Sequence, residues 1–178
     1  MRMKSTTDRY GAVAVAIHWI AAILIVALLV AGFRLSGTTD PATKIALLRV
    51  HAVMGLTIAL LTLARIAWWW FADDKPAPVA GQAPLLHRVA TAVHVLFYVV
   101  ILGLAASGIG MMVLSGAGPI VFGGASGSLP NFWDYPPRMP HGIGARLLIA
   151  LLVLHVGGAL YHQLIRRDRL FARMGLGR

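Results

Sequence analysis

The sequence has no cysteine and no glutamate, and only 12% of its 178 residues are charged. Without cysteine, the chain can form neither a disulfide framework nor a thiolate metal site. The low charge also excludes an ordinary water-soluble enzyme, because soluble domains carry about a quarter of their residues as Asp, Glu, Lys and Arg. The remaining composition is 58% hydrophobic, with a mean hydropathy of +0.77. These values are typical of an integral membrane protein.

Four apolar segments are long enough to cross a bilayer core of about 30 Å as helices. Turn-forming sequences separate them, of which Asp40-Pro41 is an example. No internal repeat or shift in composition divides the chain, so residues 1–178 are expected to form one domain. The sequence therefore predicts an all-α fold, an integral membrane four-helix bundle. The predicted spans cover residues 11–33, 45–72, 88–114 and 142–165.

The distribution of positive charge predicts the orientation of this bundle. The net charge is +10, and eleven of the sixteen Lys and Arg residues flank the span ends nearest the two termini. The positive-inside rule then places both termini in the cytoplasm. Anionic lipid headgroups and membrane topology account for this charge, so we expect no nucleic-acid partner. The five basic residues at the opposite ends are Arg34, Lys44, Arg49, Arg138 and Arg146.

Histidines carry the functional signal, because ionisable residues inside a membrane span are functional candidates by default. His141 and His155 are 14 residues apart. On a helix this separation is about 40° from alignment and about 21 Å of rise. His51 lies at the depth of His141, and His18 lies near the depth of His155. His94 matches the depth of His18 about as well, so spacing alone leaves the partner of His18 open.

Two imidazoles that face each other across a bundle suit a planar metal macrocycle, and each histidine can supply one axial nitrogen to a haem iron. Without a C-x-x-C-H sequence, such a haem is bound non-covalently. Filling both axial positions leaves no open site on the iron, and two such haems across the membrane form an electron path. A histidine proton relay is the alternative, but relays usually include intramembrane Asp or Glu, and the spans contain neither.

Two arginines are candidates to bind haem propionates. Arg65 stands 14 residues after His51 and therefore lies on nearly the same helix face, one haem level deeper. The alternative for Arg65 is a positive-inside anchor whose charged end extends to the water interface. Arg49 is placed to bind a propionate of the other haem.

Two further residues lie near the level of His18 and His155. Trp19 is adjacent to His18, and His162 follows His155 by seven residues, about 20° from its face. We assign both to the inner haem or to a quinone site. An ordinary interfacial histidine is the alternative for His162, and we assign no role to His87.

These residues resemble those of the bacterial cytochrome b561 family of dihaem membrane cytochromes, and the resemblance covers essentially the whole chain. The matching elements occur in order along the four spans and the C-terminal tail. They are Ile17-His18-Trp19, Arg49-Val50-His51 with Arg65, His94 to Tyr98, His141, Leu154-His155, Ala159 to His162, and the tail from Arg167 to Met174.

The resemblance implies two haems b, one between His18 and His155 and one between His51 and His141. It also implies a multi-pass protein of the bacterial inner membrane that exchanges electrons with ubiquinone. Family members that act without a partner subunit resemble the superoxide oxidases. This likeness implies superoxide, a small anion, as the periplasmic electron donor. The alternative is a cytochrome b anchor subunit that relays electrons from a partner dehydrogenase or hydrogenase to quinone. A second copy of the chain, forming a homodimer, is a further candidate partner.

Overall fold

The computed structural model describes residues 2–78 and 83–177, so Arg178, one of the eleven cations above, lies outside it. Within these ranges the chain is helical and contains no strand. Four helices are long and apolar enough to cross a membrane, which confirms the predicted all-α membrane fold. They are α1 (Ala12–Gly37), α2 (Pro41–Phe71), α3 (Pro84–Leu114) and, after the short α4 (Gly118–Phe122), α5 (Arg138–Leu160).

Helices α2, α3 and α5 each begin four residues before the predicted apolar span. In α2 and α3 a proline occupies the first turn, where its missing N–H costs no hydrogen bond. Asp40 caps α2, and its carboxylate accepts a hydrogen bond from the Thr43 N–H at 2.8 Å. The hydrophobic run thus marks the membrane-crossing part, while the helix itself begins at the preceding cap.

The long helices pack as two close pairs, α1 with α2 and α3 with α5, and α2 contacts α3. A small hydrophobic core lies at mid-depth where the pairs meet. Ile25, Ile58 and Leu148 each lie seven positions from a predicted ligand histidine of their own helix, and Leu151 lies four from His155. The core therefore separates two histidine levels. Its buried members are Ile25, Ile58, Val100, Ile101, Leu148 and Leu151.

One end of the bundle, here called the terminal end, gathers both termini and the connection after α2. The Tyr10 N–H donates to the Arg173 carbonyl at 3.1 Å. Arg173 Nη2 donates to the carbonyl of Ala77 at 2.5 Å. The opposite end, here called the capped end, is covered by α4 and by a 3-10 helix, Phe132–Asp134. Residue Val121 of α4 is fully buried there.

The last long helix changes form at the terminal end. After Leu160 the chain continues as one π-helical segment, Tyr161–Arg166, which is a local geometry often found at functional sites. Arg167 and Arg169 then adopt left-handed backbone angles, with φ of 55° and 54°. The chain reverses through them into α6 (Leu170–Arg173).

Candidate functional site

Two histidine pairs lie at different depths between the two close helix pairs. His18 of α1 and His155 of α5 have ring centroids 6.0 Å apart. His51 of α2 and His141 of α5 have ring centroids 6.3 Å apart. In each pair, one histidine comes from the α1/α2 pair and the other from the α3/α5 pair. The structure therefore brings together the four histidines that the sequence selected, in two facing pairs.

The two separations suit one metal atom held between two imidazoles. An imidazole nitrogen binds a metal such as zinc at about 2 Å, and the ring centre lies about 1 Å further away. Two opposed imidazoles on one metal thus place their centroids roughly 6 Å apart. In residues 2–78 and 83–177, no cluster of three or more His, Cys, Asp or Glu could hold a metal ion. Two protein ligands per site suit a metal that brings its own equatorial nitrogens, as haem iron does.

His94 also lies at the level of His18 and His155, which is nearer the terminal end and is here called the lower level. Its contact with His155 differs from that of His18. Its ring centroid is 5.1 Å from that of His155, with the ring planes nearly perpendicular. Both residues belong to the closely packed α3/α5 pair, and His94 Nδ1 lies 2.6 Å from the Ala90 carbonyl of its own helix. His94 therefore contacts His155 side by side within one helix pair, whereas His18 faces it from the other pair.

His141 is held by a hydrogen-bond arrangement that the sequence did not indicate. Its Nδ1 lies 3.0 Å from Ser107 Oγ and 3.1 Å from the Leu104 carbonyl, both on α3. The Ser107 hydroxyl itself donates to the Leu104 carbonyl at 3.0 Å, so Nδ1–H is the donor to Ser107 Oγ. This tautomer leaves Nε2 with a free lone pair, as metal ligation requires.

Glycines border the rings of His51 and His141. A Cβ on Gly32 would make an ordinary van der Waals contact with His51 Cε1 at 3.4 Å, and one on Gly108 would do so with His141 Cε1 at 3.5 Å. In contrast, a Cβ on Gly55, one turn from His51, would meet no atom within 4 Å. The same holds for Gly158, three residues after His155. Small residues thus leave room for a flat group beside one ligand at each level.

Arg65 lies among the lower histidines. Arg65 lies close enough to His18, His94 and His155 to stand at their level. Its Nε is buried and has no hydrogen-bond partner among the described residues. An arginine extended to the water interface would have its head group hydrated. The buried, unpartnered Nε instead suits an anionic group such as a propionate.

At the capped end, Arg49 is tied to the cap. Its Nε donates to the Val121 carbonyl of α4 at 2.6 Å, which holds α4 over the level of His51. The guanidiniums of Arg138 and Arg146 converge over Gly142, beside His141. A Cβ on Gly142 would lie 3.2 Å from one Nη1 and 4.0 Å from the other. The Arg138 guanidinium also stacks over the Trp133 ring at 4.2 Å.

At the terminal end, Trp19 and His162 hold the C-terminal segment. The Trp19 ring packs edge-on against His18 at 5.2 Å, and its Nε1 donates to the Met174 carbonyl at 3.1 Å. His162 Nδ1 lies 2.6 Å from Asp168 Oδ2, and both side chains are about 14% exposed or less. His162 is therefore a largely buried partner of a carboxylate, not a free interfacial imidazole.

Two residues at these sites were not predicted from the sequence. Ser107 gives no signal, since small residues occur throughout membrane helices for packing. Asp168 had a detectable signal, because it is a lone acidic residue within a basic tail. Its contact with His162 depends on the π-helical segment and the two left-handed residues, which the sequence pattern does not encode.

Comparisons with known proteins agree along the whole chain. The family described as prokaryotic cytochrome b561 matches residues 9–177. "Cytochrome b561 homolog 2" of Escherichia coli (strain K12) is 23% identical over 192 residues, covering 98% of this chain and 95% of that protein. "Cytochrome b561 homolog 1" of the same organism is 26% identical over 183 residues, covering 94% and 97% respectively.

Proposed function

Since the chain belongs to the prokaryotic cytochrome b561 family, it is a haem b electron-transfer protein of the bacterial inner membrane, and we propose that it carries two haems b and passes single electrons from superoxide to ubiquinone. The observation that carries this proposal is the two facing histidine pairs, one on each side of the hydrophobic core, with ring centroids 6.0 and 6.3 Å apart.

We assign His18 and His155 as the ligands of one haem, and His51 and His141 as those of the other. Haem held between two imidazoles supplies a one-electron carrier with no open coordination position. The rival lower-level ligand, His94, is disfavoured by its side-by-side contact with His155 inside one helix pair. Arg65 would pair with a propionate at the lower level, where its Nε is buried and unpartnered among the described residues.

The capped end is the proposed entry side for superoxide. By the positive-inside rule, the termini face the cytoplasm and the capped end faces the periplasm. Its five basic residues exceed its two acidic residues, Asp40 and Asp134, by three charges, which attracts a small anion. Arg138 and Arg146, which converge over Gly142, lie beside His141. Arg49, whose Nε donates to the Val121 carbonyl of α4, would bind a propionate of the haem at this end.

The terminal end is the proposed quinone side. His162, held by Asp168 at 2.6 Å, can donate a hydrogen bond or a proton to a quinone oxygen. Trp19 packs between His18 and the C-terminal segment and forms one wall of this region. In the overall reaction, two superoxide anions each lose one electron and become two O2 molecules. One ubiquinone takes up both electrons and two protons and becomes ubiquinol.

A haem determination combined with an optical spectrum tests this function. Purified protein is expected to contain two b-type haems per chain and to be reduced rapidly by superoxide, with re-oxidation on addition of ubiquinone. Haems that stay oxidised in superoxide but are reduced by a co-purified second chain would overturn the superoxide assignment and favour the anchor-subunit alternative. A folded, colourless protein obtained with haem available would overturn the haem assignment itself.

Single substitutions test the ligand assignment. His51→Ala and His141→Ala are each expected to remove one haem and to leave the other spectrum intact. His18→Ala and His155→Ala are expected to remove the second haem. His94→Ala serves as the matched control, since it lies at the same level and is expected to retain both haems. Loss of a haem in His94→Ala, with retention in His18→Ala, would contradict the assignment.

A further inference from the structure

At the terminal end, the N-terminal segment forms a folded loop that closes on itself at the start of α1. The Ala12 N–H donates to the Arg2 carbonyl at 2.9 Å, and the Gly11 N–H donates to Ser5 Oγ at 3.0 Å. Ser5 in turn donates to the Asp73 carboxylate, at 2.8 Å through its hydroxyl. These bonds hold the backbone of the loop, so the points from which its side chains extend are fixed.

This loop borders a cavity of about 220 Å³ that is lined by Arg2, Lys4, Thr6, Arg9 and Tyr10. Three of the five lining residues are cations. None of the three lies within 4 Å of a carboxylate among residues 2–78 and 83–177, where the ion pairs found involve only His162, Arg166 and Asp168. The cavity therefore presents three cations that form no ion pair within the described part of the chain.

The cavity also lies at the depth of the membrane interface. The Tyr10 ring contacts Trp69 at 6.0 Å, and Lys75 lies over the same indole at 5.9 Å. Tyr and Trp concentrate at the headgroup level of a bilayer, where an aromatic ring contacts lipid and its polar group reaches water. The charged cavity thus faces the layer in which lipid phosphates lie.

We propose that this cavity is a binding site for the phosphate headgroup of an anionic phospholipid, with Arg2, Lys4 and Arg9 as the charged ligands and the Tyr10 hydroxyl as an additional donor. Because the loop backbone is already held, binding has to order only the side chains, which lowers its entropy cost. Each basic residue near an anionic membrane surface contributes roughly fivefold in affinity. The site does not depend on the proposed electron-transfer function.

Lipid binding to the purified holoprotein tests the site. Native mass spectrometry in non-ionic detergent is used to titrate dioleoylphosphatidylglycerol, with dioleoylphosphatidylcholine for comparison. The wild-type chain is expected to bind the anionic lipid at least tenfold more tightly. Combined substitution Arg2→Gln, Lys4→Gln and Arg9→Gln is expected to abolish that preference. Tyr10→Phe keeps the ring packed on Trp69 and is expected to weaken the preference for the anionic lipid several-fold.

The control carries the same loss of charge at the same end of the bundle. Arg88→Gln, Arg167→Gln and Arg169→Gln together remove three exposed cations that do not line the cavity. This variant is expected to keep the preference for the anionic lipid within about twofold. An equal loss in both triple variants would overturn the site, since general surface charge would then account for binding. Binding of inorganic phosphate at millimolar concentration without lipid preference would overturn the lipid assignment.

Discussion

The Ser107 hydroxyl lies 3.0 Å from Nδ1 of His141. This contact joins α3 to α5 at the level of the His51 and His141 pair. The Leu104 carbonyl accepts from both groups, at 3.0 Å from Ser107 Oγ and 3.1 Å from His141 Nδ1. Such a partner fixes the orientation of a ligand imidazole and makes its free nitrogen a stronger electron donor. In contrast, no hydrogen bond of standard geometry is found for the buried Nδ1 of His51 within the described ranges, and the backbone interaction of this ring is with Leu28 of α1. The two proposed ligands of this haem are therefore not equivalent.

Ser107→Ala is expected to raise the midpoint potential of the haem proposed between His51 and His141, because a less basic imidazole stabilises the ferric state less. A lost hydrogen bond of about 1 kcal/mol corresponds to at most about 40 mV for one electron. Potentiometric titration monitored optically measures the shift, and the other haem is expected to stay unchanged. Ser36→Ala is the control, since its hydroxyl bonds only to the Phe33 carbonyl of its own helix at 2.8 Å. Equal potentials for the two variants would contradict the role of Ser107.

The sequence predicted the features that follow from helical spacing and hydrophobic length. His141 and His155 share one helix, so their spacing placed them on nearly one face at two levels, and the structure has them there. The partner of His18 was not predictable in this way. His94 and His155 match its depth about equally well, and only the pairing of α1 with α2 and of α3 with α5 shows which histidine faces His18 across the bundle. This pairing depends on side-chain packing between distant segments, which periodicity does not report.

Asp168→Asn is expected to slow ubiquinone reduction about tenfold while both haem spectra stay unchanged. The carboxylate lies 2.6 Å from His162 Nδ1 and holds that ring in one orientation; loss of a comparable supporting group costs at least tenfold in metal sites. Steady-state quinone reduction across a range of pH measures the effect. A purely structural role would also alter the haem spectra or the thermal stability. Asp8→Asn removes an exposed carboxylate at the same end and is expected to keep the wild-type rate.

Asp73 makes stability at the terminal end dependent on pH. Partial burial favours the neutral acid, but hydrogen bonds from Ser5, Trp68 and the Asp74 N–H outweigh it and lower the pKa of Asp73. The carboxylate therefore stabilises the fold above the unfolded-state pKa of about 4. This contribution disappears as pH falls through the lower folded-state pKa.

Asp73→Asn is thus expected to lower the unfolding free energy by about 1 kcal/mol or less at pH 7. The difference from wild type should shrink as the pH is lowered below about 4. Thermal unfolding in detergent at both pH values measures it. Asp74→Asn is the control, because the hydrogen bond found for Asp74 is made by its backbone N–H, which donates to Asp73 Oδ1 at 3.0 Å. A deficit that grows at low pH would contradict this account.

Gly11 stands where the N-terminal loop crosses the start of α1. A Cβ at this position would collide with the Met3 carbonyl oxygen and would lie 2.5 Å from the Lys4 carbonyl carbon and 2.7 Å from the Ser5 nitrogen. These are backbone atoms held by the hydrogen bonds of the loop, so they cannot yield as a flexible side chain does. The substitution Gly11→Ala is expected to cost about 1–3 kcal/mol of stability.

Gly37→Ala is the matched control for this effect. Gly37 ends α1, and a Cβ there meets no atom within 4 Å, so alanine is expected to be neutral or to stabilise by less than about 1 kcal/mol. Because the same loop positions Arg2, Lys4 and Arg9, Gly11→Ala is also expected to reduce the preference for anionic lipid, while the haem content stays at the wild-type level. Thermal unfolding and lipid titration on one preparation measure both effects. Unchanged stability with Gly11→Ala would mean that the loop does not close at this residue.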